Sequence, residues 1–435
     1  MGRTRRKRKL RATHERCCNF SLESHQETIC LKKRMHELGW ENRSQLVLKN
    51  FASTGRGVSS VLNIKHNQSL IEVPYELLIT CANALETEVL NNLIKRCKRT
   101  KVQDILATFL ILEKHKGEKS KWKFYLDTLP DELPFLPWLS NETELSAFPS
   151  HLMKIAKKRK WDMDVSWERI EKSINSNWTC FCCGEPLNRV ITFNAFTWGY
   201  AMVNTRAVYI QPDIVIELLG KDLSSYLSDE PCLALCPFLD MFNHSSEANI
   251  KAELTCMDES WKYTLTTLNA YKKHQQIYIS YGSHDNEKLF CEYGFFLSHN
   301  HLDHIQYSLE EIASIDNISL SMKQRSFIQS RCLGDELYIY TKGLSFNLKA
   351  LFFVIQKPDI EWSRIIYSEG YENHDYLLMY TSARDIVTLR KLHHIEELRN
   401  LESVAISKYA LAIIGFLKHR IHFIEQILSF LNSRI

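Results

Sequence analysis

Hydrophobic positions in this chain of 435 residues follow two alternating patterns. Short apolar, β-branched runs separated by Gly, Asn and Pro occupy residues 35–82 and return over residues 232–296, and such runs predict strands. Between them, residues 84–200 show mainly helical spacing, broken by a proline-containing loop near residue 134. The order strands, helices, strands and helices, without βαβ alternation, predicts an α+β fold.

Helical spacing resumes after residue 305 and continues to the end of the sequence. Its clearest part is a stripe at intervals of three and four residues, typical of the apolar face of an amphipathic helix. The stripe consists of Leu398, Leu401, Ala405, Tyr409, Ile413, Phe416 and Leu417. We therefore predict three segments: a disordered basic tail over 1–34, a β-rich domain over 35–300 with its helical insertion at about 84–200, and an all-helical domain over 301–435.

Positive charge is concentrated at the N-terminal end of the sequence. Residues 1–16 contain eight Lys and Arg against one Glu, whereas the whole chain has a formal net charge of +4, so the remainder is slightly acidic. An acidic body disfavours broad phosphate binding, and we expect direct nucleic-acid binding at most through the basic tail. The tail fits a nuclear-import signal, an anchor on acidic partners, or a solvated leader without a role.

No apolar run approaches the ~20 residues of a membrane-spanning helix, and no apolar segment follows the basic run as in a secretory signal. We therefore expect a soluble intracellular protein, in the nucleus and cytoplasm, without a membrane partner. The 13 cysteines are scattered along the chain, which favours reduced thiols. Two clusters, Cys17-Cys18 and Cys180-Phe181-Cys182-Cys183, are candidates for zinc, but no second pair follows at finger or ribbon spacing. We predict buried or loop thiols and no metal.

Three short segments combine residues that suggest chemistry. Gly55-Arg56-Gly57 precedes a predicted strand, and glycines there permit a close approach of backbone to a ligand or simply form a tight turn. The apolar run from Phe238 ends abruptly in Asn243-His244-Ser245, which places polar groups beside a buried wall. Two Tyr-Gly pairs, at Tyr281 and Tyr293, place phenols next to flexible backbone, although an aromatic residue at a strand end is also an ordinary core residue.

In this order, Gly55-Arg56-Gly57, Asn243-His244-Ser245 and Tyr281-Gly282 resemble the successive signature motifs of the SET-domain methyltransferases. The segments 203–209 and 280–286 are similar to the subfamily of the plant Rubisco large-subunit methyltransferase. The resemblance implies a SET domain with a helical insertion, followed by an all-α domain that binds the protein substrate. The cysteine-rich zinc modules that flank many chromatin SET domains are absent from the sequence.

The resemblance also implies roles for individual residues, with S-adenosylmethionine as the methyl donor and Tyr281 as the catalytic residue. The turn 54–57 would line the cofactor pocket, and Arg206 would pair with the cofactor's carboxylate. Segment 240–244 would lie against adenine and ribose, and segment 293–295 would close over the adenine. The cofactor-binding residues implied in this way are Thr54, Gly55, Arg56, Gly57, Arg206, Asp240, Met241, Phe242, Asn243, His244, Tyr281, Tyr293, Gly294 and Phe295.

Methyl transfer to lysine requires a neutral amine, whereas a free lysine has a pKa of about 10.4. A dry channel lined by aromatic residues, next to a sulfonium, disfavours the ammonium form. We expect the partner to be a protein with a target lysine, such as a histone tail or a non-histone protein, and the enzyme to act as a monomer. The substrate, histidine as an alternative acceptor, and the number of methyl groups added stay open.

Two rival hypotheses belong to other classes. His299, His301, Asp303 and His304 spell HxHxDH, which in metallo-β-lactamase-type hydrolases supplies zinc ligands. The glycines usual after that motif are missing, and the chain beyond it is predicted to be helical where a hydrolase needs strands. The other rival is a SET fold without turnover that serves as a binding scaffold.

Overall fold

The computed structural model describes residues 20–142, 145, 148–257, 260–315, 319–358, 360–402 and 408–435. They form two compact units. The first comprises the chain up to Phe135 together with Lys158–Ser283, and the second comprises Leu136–Lys157 and His284–Ile435. The basic run and the pair Cys17-Cys18 lie outside the described residues.

The first unit contains three sheets. Its strands are β1 (Phe20–Ser21), β2 (Leu46–Phe51), β3 (Gly55–Ser60), β4 (Gln68–Pro74), β5 (Ile79–Thr80), β6 (Val208–Tyr209), β7 (Leu233–Leu235), β8 (Asn243–His244), β9 (Ile250–Met257), β10 (Ser260–Thr267) and β11 (Gln276–Ile279). The sheet orders are β1-β2-β3-β11-β8, β4-β10-β9 and β5-β7-β6. Among these strands of the described chain, the pairings are antiparallel except that of β8 with β11, which is parallel.

Strand β10 illustrates why these runs form strands. Tyr263, Leu265 and Thr267 are buried, and the residues between them are partly exposed. An alternation with period two places every second side chain on one face of a sheet. The edges of β10 pair with β4 on one side and with β9 on the other.

Helices fill the segment between β5 and β7. They are α2 (Cys81–Ala84), α3 (Glu88–Cys97), α4 (Val102–Lys116), α5 (Lys123–Leu126), α6 (Ser150–Ser173), α7 (Leu187–Val190), α8 (Phe193–Arg206), α9 (Pro212–Leu219) and α10 (Lys221–Ser224). Helix α4 is buried on nearly all sides and packs against α8. A Cβ on Gly199 of α8 would lie 2.6 Å from the carbonyl oxygen of Ala107, so the lack of a side chain permits this close packing.

A helix replaces part of the predicted N-terminal tail. Helix α1 (Gln26–Glu37) buries Thr28, Leu31 and Met35, which recur at intervals of three and four residues. The prediction of disorder for residues 1–34 is therefore wrong for residues 26–34. The charged residues of this segment lie on the outer face of the helix, and the basic composition hid its apolar stripe.

The second unit is built mainly from helices. Its elements beyond residue 284 are α11 (Asn286–Tyr293), β12 (Ile305–Tyr307), α12 (Leu309–Ile315), α13 (Met322–Ser330), β13 (Leu337–Tyr340), β14 (Gly343–Leu344), α14 (Phe346–Gln356), α15 (Trp362–Tyr367), α16 (Asn373–Glu402) and α17 (Lys408–Asn432). Their inward faces form one buried apolar cluster that includes Leu351, Phe353, Met379 and Ile427.

The sequence predicts an all-helical domain over residues 301–435, but the structure also contains strands there. Strands β12, β13 and β14 form a small antiparallel sheet. Ile305 and Tyr307 of β12 are buried and Gln306 is not, so a strand alternation is present, but three residues are too few to stand out from the helical pattern around them.

Two other local predictions differ from the structure. Segment 294–297, predicted as a strand, has no regular structure, because Gly294 adopts the left-handed conformation (φ 79°) and ends α11. The predicted stripe 398–417 belongs to two helices, α16 and α17, and its member Ala405 lies outside the described residues. Within the described part of the chain, no helix combines the length and the apolar character needed to span a bilayer.

Candidate active site

The turn before β3 is held by hydrogen bonds from β11. Gly55 has φ 68° and open space around the position of a side chain, whereas a Cβ on Gly57 would lie 2.7 Å from amide nitrogens of Asn243 and Gln276. The Thr54 hydroxyl and the Gln276 side-chain amide hydrogen-bond each other, with an Nε2–Oγ1 distance of 2.9 Å. Gly55 thus supplies an open backbone that a ligand can approach, and Gly57 supplies the close packing that fixes the turn.

The predicted motif Asn243-His244 forms β8, and its parallel pairing with β11 aligns Asn243 with Tyr278 and His244 with Ile279. The Asn243 side-chain amide donates a hydrogen bond to the carbonyl oxygen of Arg56 at 2.9 Å. Three segments that are distant in sequence therefore meet through β8. The structure brings the motifs at residues 55–57, 243–244 and 281 into one part of the first unit.

Tyr281 lies just beyond β11, and two hydrogen bonds orient it. Its phenolic oxygen donates to the carbonyl oxygen of Phe242 at 2.6 Å, and its backbone N–H donates to Nδ1 of His244 at 3.1 Å. The His244 ring also packs against the Tyr281 ring, with the centroids 5.2 Å apart. Because Nδ1 accepts a hydrogen bond, a neutral His244 carries its proton on Nε2. The buried histidine therefore positions the tyrosine.

Arg206 is the last residue of α8, and its guanidinium Nη1 lies 3.0 Å from Oδ2 of Asp240. The same carboxylate oxygen accepts a hydrogen bond from the phenol of Tyr125 at 3.0 Å. The side chain of Asp240 is fully buried (0% exposed), and that of Arg206 is 16% exposed. Burial is the largest single influence and opposes the charge on Arg206, but Asp240, Tyr125 and Tyr281 together outweigh burial, and the pKa of Arg206 is raised.

The ion pair leaves polar atoms unsatisfied. Among the described residues, Nε of Arg206 and Oδ1 of Asp240 are buried and have no hydrogen-bond partner. Buried polar groups are normally paired, and unpaired ones cost about 1–3 kcal/mol each. An unpaired guanidinium edge suits a negatively charged group of a ligand, and an unpaired carboxylate oxygen suits its hydrogen-bond donors. The two together fit a polar ligand that carries both.

Other predicted residues have more ordinary surroundings. Met241 and Phe242 are buried at 3% and 1% exposure. The Arg56 side chain donates to the carbonyl oxygen of Thr128 at 2.7 Å, and burial together with the nearby Arg206 lowers the pKa of Arg56.

Tyr125 and Gln276 also contact residues of the candidate site, and the sequence did not predict them. Neither belongs to a motif, and their contacts with Asp240 and Thr54 join residues more than 100 positions apart in sequence.

Tyr293, Gly294 and Phe295 belong to the second unit. Tyr293 ends α11, and its ring stacks on that of His284 with the centroids 6.1 Å apart. The ring of Phe295 lies 6.2 Å from that of Tyr293. Their assignment to the adenine stays a prediction.

The HxHxDH run has a structural role instead of the arrangement of a hydrolase site. Asp303 is 3% exposed and forms an ion pair with the buried Arg420 at 2.9 Å. It also accepts a hydrogen bond from Asn286, at 3.0 Å. Nδ1 of His304 is bonded to the carbonyl oxygen of Leu302 at 3.1 Å. Within the described ranges, residues 299–304 do not form a group that could hold a metal ion. The hydrolase hypothesis is not favoured.

Comparison with known proteins identifies the class. A model of the SET domain matches residues 55–282, which is more than half of the sequence, and the chain belongs to the SET domain family. The predicted α+β SET fold is thereby confirmed. The crystal structure of the SET domain of LSMT bound to lysine and AdoHcy has the same fold, with a TM-score of 0.62 at 18% identity over 94% of this chain and 91% of that chain.

Within the family, the motifs at residues 203–209 and 280–286 resemble those of SET domain-containing protein 4, and proteins of that name are among the relatives found. The mouse protein of that name is 34% identical over 299 residues, and the human protein is 31% identical over 300 residues. These alignments cover 68% and 69% of this chain but 64% of each relative. The chain thus matches a little under two thirds of the length of these relatives.

Proposed function

We propose that this protein transfers a methyl group from S-adenosylmethionine to a lysine side chain of a protein substrate. The observation that carries the proposal is that Arg206, Asp240, His244 and Tyr281 lie close together in the SET fold. A buried guanidinium edge and a carboxylate oxygen there lack hydrogen-bond partners among the described residues. The LSMT structure, in complex with lysine and AdoHcy, supports the same substrate and cofactor class.

The residues fit the cofactor by their chemistry. Arg206 would hold the cofactor's carboxylate, and Asp240 would accept hydrogen bonds from its polar groups. The turn 54–57 and the backbone of Asn243 and His244 would bind the remainder. When bound, the cofactor supplies an electrophilic methyl group on a sulfonium.

Tyr281 would orient the attacking amine. Its hydroxyl proton is directed to the carbonyl oxygen of Phe242, and a phenol that donates one hydrogen bond retains lone pairs that accept others. Such an oxygen can accept a hydrogen bond from the neutral amine and hold it in line with the methyl group. Positioning of this kind accounts for most of the rate gain in a displacement reaction.

The direct test is methyl transfer by the full chain. Purified protein is incubated with radiolabelled S-adenosylmethionine and recombinant core histones or a cell lysate, and acid hydrolysates are analysed for methyllysine and methylhistidine. We expect methyllysine, and we expect Tyr281→Phe to abolish turnover while titration calorimetry shows cofactor binding within a few-fold of the unmodified protein.

Tyr263→Phe is the matched control. Tyr263 is buried in β10, and its phenol donates to the carbonyl oxygen of Tyr209 at 2.8 Å, the same type of hydrogen bond outside the site. Its variant should retain activity. Unchanged activity of Tyr281→Phe would exclude Tyr281 as the catalytic residue. Saturable cofactor binding without turnover on any substrate would favour the inactive scaffold. Detection of methylhistidine in place of methyllysine would show that the acceptor is histidine.

The finer assignments follow from charge. We propose a histone tail as one substrate class, because a slightly acidic body attracts a lysine-rich target. The basic run over residues 3–16 would direct part of the protein to the nucleus, with the remainder in the cytoplasm, and the protein would act as a monomer. Imaging of the chain with and without residues 3–16, and light scattering after gel filtration, test these assignments.

A further inference from the structure

A short hairpin in the helical insertion brings three cysteines together. Thr179 and Pro186 form an antiparallel bridge, and the N–H of Cys180 donates to the carbonyl oxygen of Glu185 at 2.8 Å. The N–H of Gly184 in turn donates to the carbonyl oxygen of Cys180 at 2.7 Å, and Gly184 has φ 79°, in the left-handed region. The segment Cys180-Phe181-Cys182-Cys183-Gly184 therefore folds into a tight turn.

The fourth member of the cluster comes from another element. His115 lies near the end of α4, and its Nε2 is 3.2 Å from Sγ of Cys183. Sγ of Cys180 and Sγ of Cys182 are 3.0 Å apart, which is too long for a disulfide bond of about 2.05 Å. One ring nitrogen of His115 and the three sulfur atoms all lie within 4.8 Å of one another.

We propose that His115, Cys180, Cys182 and Cys183 bind one Zn²⁺ ion. Three thiolates and one imidazole are a common donor set of structural zinc sites, with Zn–S distances of about 2.3 Å and Zn–N distances of about 2.0 Å. In a tetrahedron of that size the donor atoms are about 3.5–3.8 Å apart. This range lies between the 3.0 Å separation of two of the sulfur atoms and the 4.8 Å limit that encloses all four donors. Soft sulfur ligands favour Zn²⁺ over Mg²⁺ or Ca²⁺.

The site is structural, since four protein ligands leave no open coordination position for a substrate. It joins the hairpin to the C-terminal end of α4. Lys119, just beyond α4, adds a hydrogen bond to the carbonyl oxygen of Cys182 at 3.0 Å. Because α4 packs against α8, whose last residue is Arg206, the ion would stabilise the helices that hold the candidate active site.

The sequence pattern marked the three cysteines as a candidate for zinc, but we predicted thiols without a metal for two reasons. We did not count Cys180 and Cys183 as a CxxC pair, although they have that spacing, and no second pair follows at finger or ribbon spacing. His115 is 68 positions from Cys183, and only the fold brings them together. Exposed His115 and Cys183 give the site an entry path, while buried Cys180 anchors it.

The test is metal analysis of the full chain, purified without chelators in the presence of a phosphine reductant. We expect zinc equimolar with protein by mass spectrometry of the metals. After removal of the metal, Co²⁺ alone should give the visible spectrum of a tetrahedral thiolate site, and Zn²⁺ should abolish that spectrum. We expect His115→Ala and Cys183→Ser to weaken Zn²⁺ binding at least about tenfold, since even residues that merely orient metal ligands contribute 10–100-fold.

Cys256→Ser is the matched control, because Cys256 is an exposed free cysteine of β9 in the same unit. It should retain all of the zinc. Both ligand variants alter exposed side chains, so circular dichroism should show them folded. Absence of zinc together with absence of a cobalt spectrum in the reduced protein would overturn the proposal. Equal zinc affinity of the two ligand variants and Cys256→Ser would overturn it as well.

Discussion

Removal of the Arg206 side chain tests the ion pair of the candidate site. In Arg206→Ala, the carboxylate of Asp240, which is 0% exposed in the structure, loses its ion pair and, among the described residues, keeps the hydrogen bond from Tyr125. Loss of one partner of a buried pair costs about 3–5 kcal/mol, because the remaining charge has neither water nor a counter-ion. Arg206 is 16% exposed and Tyr125 remains, so we expect the lower end of that range, about 3 kcal/mol.

The assay is thermal unfolding at fixed protein concentration and scan rate. For a unit of this size, 1 kcal/mol shifts the unfolding temperature by about 2–4 °C, so Arg206→Ala should unfold about 6–12 °C lower. Lys172→Ala is the control, because Lys172 and Glu168 form an ion pair that is 74% and 64% exposed. Exposed pairs contribute under about 1 kcal/mol, and that variant should be nearly unchanged.

A double-mutant cycle isolates the pair itself. Asp240→Asn removes the negative charge with little change of shape, so Arg206→Ala combined with Asp240→Asn should cost less than the sum of the two single changes. Contacting residues usually show a coupling of about 0.5–3 kcal/mol, whereas independent sites add within about 0.5 kcal/mol. Additive effects of Arg206→Ala and Asp240→Asn would refute the reasoning.

The same variant measures the proposed binding role. Hydrogen bonds to charged groups contribute about 1.5–3 kcal/mol, which corresponds to roughly 10–150-fold in affinity. Titration calorimetry of Arg206→Ala with S-adenosylmethionine, at a temperature where the variant is folded, should show a loss in this range. Equal affinity would leave Arg206 with a structural role alone.

Two further predictions concern stability. Burial raises the pKa of the Asp104 carboxyl to about 6, above its value of about 3.9 in an unfolded chain. The folded state therefore holds this proton more tightly, and the free energy of unfolding falls as pH rises from about 4 to 6. Asp104→Asn should therefore stabilise the protein by up to about 3 kcal/mol near pH 7 and hardly at all below pH 4, and thermal scans showing equal effects at both pH values would contradict this. Gly199→Ala should destabilise the protein by about 1–3 kcal/mol, because the added Cβ would lie 2.6 Å from the carbonyl oxygen of Ala107. Gly415→Ala in α17 is the contrasting change: its added Cβ would meet no atom within 4 Å, and it should stabilise the protein by up to about 1 kcal/mol. Urea unfolding of both variants checks the signs, and a stabilising Gly199→Ala would show that α4 and α8 move apart at no cost.

Local pattern predicted most of the fold. The alternation in β10 and the apolar stripe of α17 each depend on residues within a few positions of one another, so the strands and helices could be predicted directly. The short strands β12 and β13 could not, because three or four residues carry too little periodicity. Helix α1 was missed since its charged residues outweigh the three buried ones.

The candidate site depends on contacts that no local pattern contains. The parallel pairing of β8 with β11 places His244 beside Tyr281, 37 positions away, and the bond from Tyr125 to Asp240 spans 115 positions. The family resemblance supplied the residues of the motifs, because a motif is recognised without knowledge of its pairing. It could not supply Tyr125, which belongs to the insertion between the motifs.

The same limit explains why the cysteine cluster was interpreted as separate thiols. A metal site needs donor atoms of the right kind within a few ångströms of each other. The sequence shows which donor atoms are present but not the distances between them. The hairpin 178–187 supplies three sulfur atoms through local structure, but the fourth donor depends on where α4 ends. A cysteine-rich turn inside an insertion is therefore best judged by the helix that packs beside it, and here that helix ends with His115 facing Cys183.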